Sequence, residues 1–236
     1  TRDDGLPDNR LFSVIEDHKA NLWIATAGHG IVKFNRENFT VYDADNGFLN
    51  ARVFKIFWDY EDNIWCCTQF EGIARYNGKD FEQFTKEDGL PGSSVMSGEL
   101  DTVGDIWFGT IGNGIFKYEQ GQFIIPEIEH ENTPTYIRSI VRDSLGNMWF
   151  GSASKGVCRL IKKADNTYSC YSITTEEGLN SNNIYFLLCD DQNQLWAGTE
   201  KGINRIVLNN KQEAEKIYTY GKADGFIGVE TSINGA

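Results

Sequence analysis

The sequence predicts an all-β fold, a β-propeller of four-stranded antiparallel blades with five complete repeats and the start of a sixth. First, five tryptophans recur at spacings of 42, 42, 42 and 47 residues. Second, each has the same companions: an Asp six residues before it, a Thr or Ser three residues after it, and then a Gly followed by Ile or Val. Third, each repeat contains short apolar segments separated by turn-forming residues. The five tryptophans are Trp23, Trp65, Trp107, Trp149 and Trp196.

The third repeat shows how each unit divides into strands. The pattern predicts four of them, at Val95–Leu100, Ile106–Thr110, Gly114–Tyr118 and Gln122–Ile124, joined by turns that contain Asp and Gly. A sheet of four short strands has two apolar faces and cannot bury both alone, so each copy must stack on its neighbours. Radial stacking of such sheets gives a propeller and limits the exposed strand edges.

A marker such as Asp88-Gly89-Leu90-Pro91 separates most of the units. We therefore predict one propeller fragment over residues 1–236, with repeat units at 5–46, 47–88, 89–132, 133–177 and 178–224 and an incomplete unit at 225–236. The fourth unit lacks the marker, and residues 127–134 are predicted to be a different linker of similar role. Incomplete closure would leave open strand edges, so we expect an unclosed arc or closure assisted by another copy, that is, a possible homo-oligomer.

The residues that repeat most regularly are predicted to be structural. The tryptophans should pack between neighbouring blades, and the aspartates six residues earlier should form turns. Calcium binding by these acidic turns is the alternative. Function is then expected at positions that differ between the copies.

Composition narrows the range of partners. The chain has 34 acidic and 22 basic residues, a net charge of -12, which disfavours binding to nucleic acid or an anionic membrane surface. No apolar run approaches the roughly 18 residues of a membrane span. The three histidines and five cysteines show no metal-ligand spacing, so no metal and no cofactor are predicted.

Two cysteines, Cys158 and Cys170, are symmetric about residue 164 and could face each other across a hairpin. Free thiols in a half-buried sheet are the favoured interpretation, because the geometry of a disulfide is strict. A bond between them is the alternative.

The segments DTVGDIWFGT at 101–110 and DSLGNMWFGS at 143–152, together with the D-G-L linkers, resemble the two-component regulator propeller repeat. All five units carry this pattern. The resemblance implies a ligand-sensing module in the periplasm, the extracytoplasmic part of an inner-membrane hybrid sensor histidine kinase and response regulator. It further implies breakdown products of complex carbohydrates as ligands. The kinase and the DNA-binding output would lie outside this chain, which is itself expected to have no enzymatic activity.

Candidate ligand-binding residues are those that vary on the face formed by the strand-two to strand-three loops and the linkers between blades. The loops contribute His29, Gln69, Phe70, Glu71, Asn113, Lys155 and Glu200, and the linkers contribute Arg52, Tyr136, Arg138, Asn183 and Tyr185. Sugars favour aromatic platforms flanked by planar hydrogen-bonding groups, which draws attention to Phe70, Tyr136, Arg138 and Tyr185. Each could also be an ordinary solvated loop residue.

Two other functions remain as alternatives. A protein-interaction scaffold of the WD-repeat type is less favoured, because no Trp is followed by Asp and no Gly-His signature opens a unit. A propeller glycosidase or lyase would need two convergent carboxylates. Glu71 and Glu200 share the predicted face, but the sequence does not bring them within catalytic distance, and no catalytic residue is predicted.

Overall fold

The structure, a computed structural model, describes residues 5–49, 51–129 and 133–225. Residues 226–236, which hold all but the first residue of the predicted incomplete unit, lie outside the described residues, as does part of the linker predicted at 127–134. The chain divides into two compact structural units, which are larger than the sequence repeats. The first unit ends at Gly98 and the second unit begins at Glu99, and these names are kept below. None of the helices in the described ranges has the length and apolar character needed to cross a bilayer.

The first two sheets each contain four antiparallel strands in sequential order, β1 to β4 and β5 to β8. Their bounds are β1 Leu11–Glu16, β2 Leu22–Thr26, β3 Ile31–Phe34, β4 Phe39–Tyr42, β5 Val53–Trp58, β6 Ile64–Thr68, β7 Ile73–Tyr76 and β8 Phe81–Phe84. The second strand of each is almost wholly buried, as expected of the middle of a stacked sheet.

The remaining sheets are β9 to β12, β13 to β17 and β18 to β21. Their bounds are β9 Val95–Leu100, β10 Ile106–Thr110, β11 Ile115–Glu119, β12 Gln122–Ile124, β13 Ile128–Glu129, β14 Ile137–Arg142, β15 Met148–Ser152, β16 Val157–Lys162, β17 Tyr168–Ile173, β18 Ile184–Cys189, β19 Leu195–Thr199, β20 Gly202–Leu208 and β21 Ala214–Tyr220. The prediction of five repeats of a four-stranded antiparallel blade is confirmed.

Short 3-10 helices follow the last strand of three of the sheets, at Ala44–Asn46, Lys86–Asp88 and Lys222–Asp224. Each ends in a glycine with positive φ, and these are the glycines of the linker marker, Gly47, Gly89 and Gly225. The marker is therefore a helix stop, since a left-handed C-terminal residue favours glycine.

The predicted third strand of the third repeat begins one residue too early. It was expected at Gly114–Tyr118 and lies at Ile115–Glu119. Gly114 has a φ of 73°, which is incompatible with an extended strand, so it belongs to the preceding turn.

The linker between the third and fourth repeats is not simply a linker of similar role. Ile128 and Glu129 form strand β13, which pairs in parallel with β17 and adds a fifth strand to the outer edge of that sheet. The backbone N–H of Tyr168 also donates to Glu127 O at 2.8 Å. In place of the marker, this linker thus contains a strand that covers the edge of β17.

The two cysteines of the fourth repeat are bonded, which corrects the preference for free thiols. The hairpin is centred on Asp165 rather than on residue 164, because Cys158 pairs with Ser172 and Leu160 pairs with Cys170. The cysteines are therefore diagonal neighbours on one face of the sheet, with their Cα atoms 5.8 Å apart, a usual separation for a disulfide. Cys66 and Cys67, adjacent on β6, are free and buried.

Three of the five tryptophans pack between neighbouring sheets, as predicted. In the first unit, Trp23 lies in a cluster with Val53 and Ile56 of the next sheet. In the second unit, Trp107 packs with residues of β14 and β15, and Trp149 packs with Ile184 and Leu187.

Two polar contacts of these tryptophans were not foreseen. Each indole N–H donates to the repeat aspartate, at 2.7 to 3.1 Å, in the pairs Trp23–Asp17, Trp65–Asp59, Trp107–Asp101, Trp149–Asp143 and Trp196–Asp190. A cation from the third strand lies over each ring, 5.1 to 5.8 Å from its centroid; the cations are Lys33, Arg75, Lys117, Arg159 and Arg205. The aspartate both closes its turn and fixes the indole, which confirms its structural role.

Candidate functional site

Four first strands carry a β-bulge near the start of the strand. In β14, Ile137 pairs with Ser152 and Ser139 pairs with Gly151, so Arg138 is the extra residue. The corresponding bulge residue of β18 is Tyr185. A bulge bends the strand and re-aims one side chain, and bulges are common beside functional sites. In β1 and β5 the same position holds Phe12 and Phe54, whose rings contact each other with centroids 5.5 Å apart.

Arg138 lies between two aromatic rings. Its guanidinium carbon is 5.0 Å from the centroid of the Tyr136 ring and 4.7 Å from that of the Tyr185 ring. Its Nη1 donates to Asn183 Oδ1 at 2.5 Å. Stacking on tyrosine rings favours a cation by about 0.5–2 kcal/mol per ring, depending on its desolvation. The structure therefore brings together four of the predicted site residues.

A hydrogen-bond chain connects this group to a fifth predicted residue, Glu200. The backbone N–H of Asn183 donates to Ser181 Oγ at 3.1 Å, and the Ser181 hydroxyl donates to Glu200 Oε1 at 2.6 Å. The other carboxylate oxygen, Glu200 Oε2, is buried and has no hydrogen-bond partner among the described residues. We call Tyr136, Arg138, Ser181, Asn183, Tyr185 and Glu200 the Arg138 cluster. Ser181 was missed, because a lone serine in a linker carries no distinguishing pattern.

A polar cleft of about 320 Å³ adjoins the cluster, lined by Ser154, Lys155, Ser172, Thr174, Thr175, Glu176 and Asn182. Asn182 precedes a cluster residue in the chain, and its Oδ1 accepts from the backbone N–H of Thr175 at 2.8 Å. The loop after β15 reaches the cluster as well, because the N–H of Ala153 donates to Tyr136 O at 3.0 Å. Hydroxyl groups dominate this lining, so the cleft suits a ligand that exchanges many hydrogen bonds.

A tight loop conformation shapes one wall of this cleft. Gly156 has a φ of 72°, and a Cβ atom at that position would lie 2.2 Å from Ile173 O. Its backbone N–H donates to Asn182 O at 2.9 Å. The repeat glycine is therefore required for the close approach of the loop to the following linker.

The other predicted residue of the second unit, Asn113, is exposed and is not part of the cluster. Its backbone N–H donates to Thr110 Oγ1 at 3.1 Å, which orders the loop.

The remaining five predicted residues belong to the first unit. His29 Nδ1 is 3.8 Å from Asp8 Oδ2, and Arg52 Nε donates to Ala27 O at 3.3 Å. The Gln69 backbone N–H donates to Arg52 O at 2.9 Å, and Glu71 O accepts from the Gln83 side chain. Phe70 has a φ of 71° and is 67% exposed. Glu71 and Glu200 fall in different units.

A second cleft, of about 270 Å³, lies in the second unit beside Trp107 and Tyr168. One of its two lysines, Lys117, is paired with Asp105 at 2.9 Å and with Glu119. Burial alone would lower the pKa of Lys117, but the bonds to Glu119 and Asp105 raise it. These contacts are internal to the blade, which indicates a structural role for this lysine.

The described residues contain no group of three His, Cys, Asp or Glu side chains that could hold a metal ion. The Arg138 cluster and its cleft bring together two tyrosine rings, one guanidinium, the ammonium of Lys155, the carboxylates of Glu200 and Glu176, and several hydroxyl groups.

The family model of the two component regulator propeller matches residues 133–154 and 178–201. These two segments therefore match the family whose repeat the sequence resembles, which confirms that resemblance. Every residue of the Arg138 cluster falls within these two segments. No curated protein matches the chain.

Two solved structures from B. thetaiotaomicron are similar, both extracellular domains of putative hybrid two component systems. One is 23% identical, covers 96% of this chain and 31% of that chain, and has a TM-score of 0.80. The other is 24% identical, covers 92% of this chain and 32% of that chain, and has a TM-score of 0.72. This chain thus spans about a third of either domain's length.

A virginiamycin B lyase from Staphylococcus aureus is also similar, at 18% identity and a TM-score of 0.71, over 90% of this chain and 70% of the lyase. At such identities the likeness shows the propeller fold alone, since one fold serves many functions.

Proposed function

We propose that these two component regulator propeller repeats form part of a ligand-sensing module on the extracytoplasmic side of a hybrid two-component system. The Arg138 cluster and its adjoining cleft are the proposed ligand site, and breakdown products of complex carbohydrates are the proposed ligands. The observation that carries the proposal is the convergence of non-repeated residues in the segments matched by the family model.

The chemistry of the cluster supports a saccharide ligand. Tyrosine rings present apolar faces with a polar edge, and asparagine, serine and glutamate supply planar or directional hydrogen bonds. The cleft adds four hydroxyl side chains, Ser154, Ser172, Thr174 and Thr175. A polyhydroxylated ligand matches such a surface better than an apolar one.

The similar extracellular domains support the periplasmic location and the link to a histidine kinase, both of which are part of this proposal. The lyase and other propeller enzymes share only the fold, so a catalytic function receives no support from them.

Titration calorimetry of the chain against neutral and acidic oligosaccharides tests the site. We expect one class to bind, and we expect Tyr185→Ala to weaken that binding at least tenfold, because the ring orders Arg138. The matched control is Tyr218→Ala, which removes a ring lying 4.3 Å from the Arg205 guanidinium, away from the cluster. Absence of heat with every saccharide would contradict the proposal, as would equal weakening by the control.

A further inference from the structure

We propose that the Arg138 cluster takes an acidic saccharide, whose carboxylate pairs with Arg138 while a sugar hydroxyl donates to Glu200. This inference rests on the proposed ligand site and names the class of ligand that the site accepts.

The first argument is the lack of a counterion. In the described part of the chain, Arg138 makes no ion pair, and the acceptor of its Nη1 is the neutral amide of Asn183. Its Nε is buried and lacks an acceptor. A partly buried cation without an anionic partner costs free energy, and a bound anion would remove that cost. The chain has a net charge of -12, yet none of its described carboxylates forms an ion pair with this guanidinium.

The second argument is that the structural role of the repeat residues does not account for an arginine at position 138. Arg159 and Arg205 also have a buried Nε without a partner, but they lie over Trp149 and Trp196, at a position that is basic in every repeat. Arg138 lies instead at the bulge position.

Phenylalanine fills that bulge position in β1 and β5, and the two rings contact each other directly. Packing between adjacent bulges therefore does not require a guanidinium. The charge at residue 138 is an addition to the scaffold.

The third argument is the position of Glu200 at the other end of the same hydrogen-bond chain. Asn183 and Ser181 connect Arg138 to Glu200 by hydrogen bonds. Arg138 and Glu200 are not ion-paired with each other. Glu200 Oε2 is an acceptor without a donor, and Arg138 Nε is a donor without an acceptor. Neither atom is exposed, so the two atoms show that both groups are incompletely compensated within the chain, and a ligand with an anionic group beside hydroxyls would compensate the charge of the guanidinium.

The geometry of the groups favours a carboxylate on the ligand. A guanidinium is planar and presents parallel N–H donors that match the two oxygens of a carboxylate. The Tyr136 and Tyr185 rings lie 5.0 and 4.7 Å from its central carbon, and the N–H groups at its edge are the part of a guanidinium that pairs with a carboxylate. A neutral sugar would leave the buried cation uncompensated. The hydroxyl-lined cleft beside the cluster would hydrogen-bond the rest of the sugar ring.

The inference is tested by titrating three uronate trisaccharides, each beside its methyl ester. The trisaccharides are those of galacturonate, glucuronate and mannuronate. The ester keeps the hydroxyls and removes the charge. We expect at least one acid to bind at least tenfold more tightly than its ester, and we expect higher salt to weaken that binding. Galactose 6-sulfate, as a further probe, is expected to bind more weakly than the preferred uronate.

Variants locate the effect. Arg138→Gln should abolish the preference for the acid, and Glu200→Gln should weaken binding of acid and ester alike. Arg205→Gln is the matched control, because it removes another guanidinium stacked between two rings, and it should leave the preference unchanged. Thermal unfolding verifies that each variant is folded. The comparison of acid with ester uses the unaltered chain, so it tests the inference even where a variant does not fold.

Equal binding of acids and esters would overturn the inference, as would an acid preference that survives in Arg138→Gln. Binding of neutral oligosaccharides without binding of uronates would overturn the inference alone and leave the sensing function standing. No binding of any saccharide would overturn both.

Discussion

The indole N–H of Trp149 donates to Asp143 Oδ2 at 2.9 Å, and both side chains are buried. The same carboxylate accepts from the Asn147 side chain and from the backbone N–H groups of Asn147 and Leu145. One residue thus joins the turn between β14 and β15 to the ring that packs against the next sheet.

We expect Asp143→Ala to lower the free energy of unfolding by about 2–4 kcal/mol, because it leaves the buried indole N–H of Trp149 and three part-buried donors without an acceptor. Urea denaturation followed by tryptophan fluorescence measures the change. Asp191→Ala, at an exposed turn position of the last repeat, is the control and should change stability by less than about 0.5 kcal/mol. Equal effects of the two substitutions would contradict the role of the Asp–Trp bond.

The equivalent carboxylate in the first repeat predicts acid sensitivity. Burial raises the pKa of Asp17, but hydrogen bonds from Asn21, Trp23 and Lys19 outweigh it and lower the pKa to about 2. The folded pKa is below the unfolded value of about 3.9, so this contribution is present above pH of about 4 and is lost as the pH falls towards 2.

Asp17→Asn should therefore flatten the fall in stability between pH of about 4 and 2, because an amide does not titrate. Denaturant unfolding at a series of pH values measures this slope. A variant with an unchanged slope would show that other carboxylates dominate the acid response; Asp190, whose pKa is lowered by bonds from Trp196 and Gln194 that outweigh its burial, is the next to test.

The loop glycine of the fourth repeat should resist substitution. Gly156→Ala places a Cβ 2.2 Å from Ile173 O at a φ of 72°, and we expect a loss of about 2–4 kcal/mol. Gly78→Ala separates the two causes, because Gly78 has a φ of 91° with nothing within 4 Å of the added atom. It should cost about 1 kcal/mol. Thermal unfolding of both variants checks the difference, and equal losses would exclude the steric cause.

The disulfide of the fourth repeat should stabilise the fold through the loop that it closes. Cys158 and Cys170 are 12 residues apart, so removing the bond should cost about 3 kcal/mol in the chain-entropy account. The double variant Cys158→Ala, Cys170→Ala measures this loss by denaturation. Reductant should destabilise the unaltered chain and leave the double variant unchanged. Equal responses to reductant would show that the bond contributes nothing.

Much of the fold follows from local signals. Strands β9, β10 and β12 lie where the pattern places them, because a short apolar segment and the turn residues that bound it are properties of neighbouring residues. Strand β13 was not predicted, since its parallel pairing joins residues 40 positions apart, as in Ile128 with Tyr168. Cys158 was expected to face Cys170 and instead pairs with Ser172, two residues further on. This register depends on the length of the turn at Asp165.

For the site, residue types were more predictable than contacts. Tyr136, Arg138, Asn183 and Tyr185 were selected as variable linker residues, but their assembly depends on two bulges that the sequence does not reveal. Ser181 and the unpaired oxygen of Glu200 became visible only through the hydrogen-bond chain. Whether all twelve selected residues contribute to one site stays a prediction.

The bulge in four of the five first strands gives each of those strands one position whose residue type the sheet does not dictate. Its side chain leaves the alternation of the sheet, so phenylalanine, arginine and tyrosine all occupy it without changing the strands on either side. At the proposed ligand site, an exchange at this position would alter recognition while the Trp, Asp and Gly of the repeat preserve stability. The proposal therefore predicts that such repeats acquire new ligands, in evolution or by engineering, through exchanges at the bulge positions.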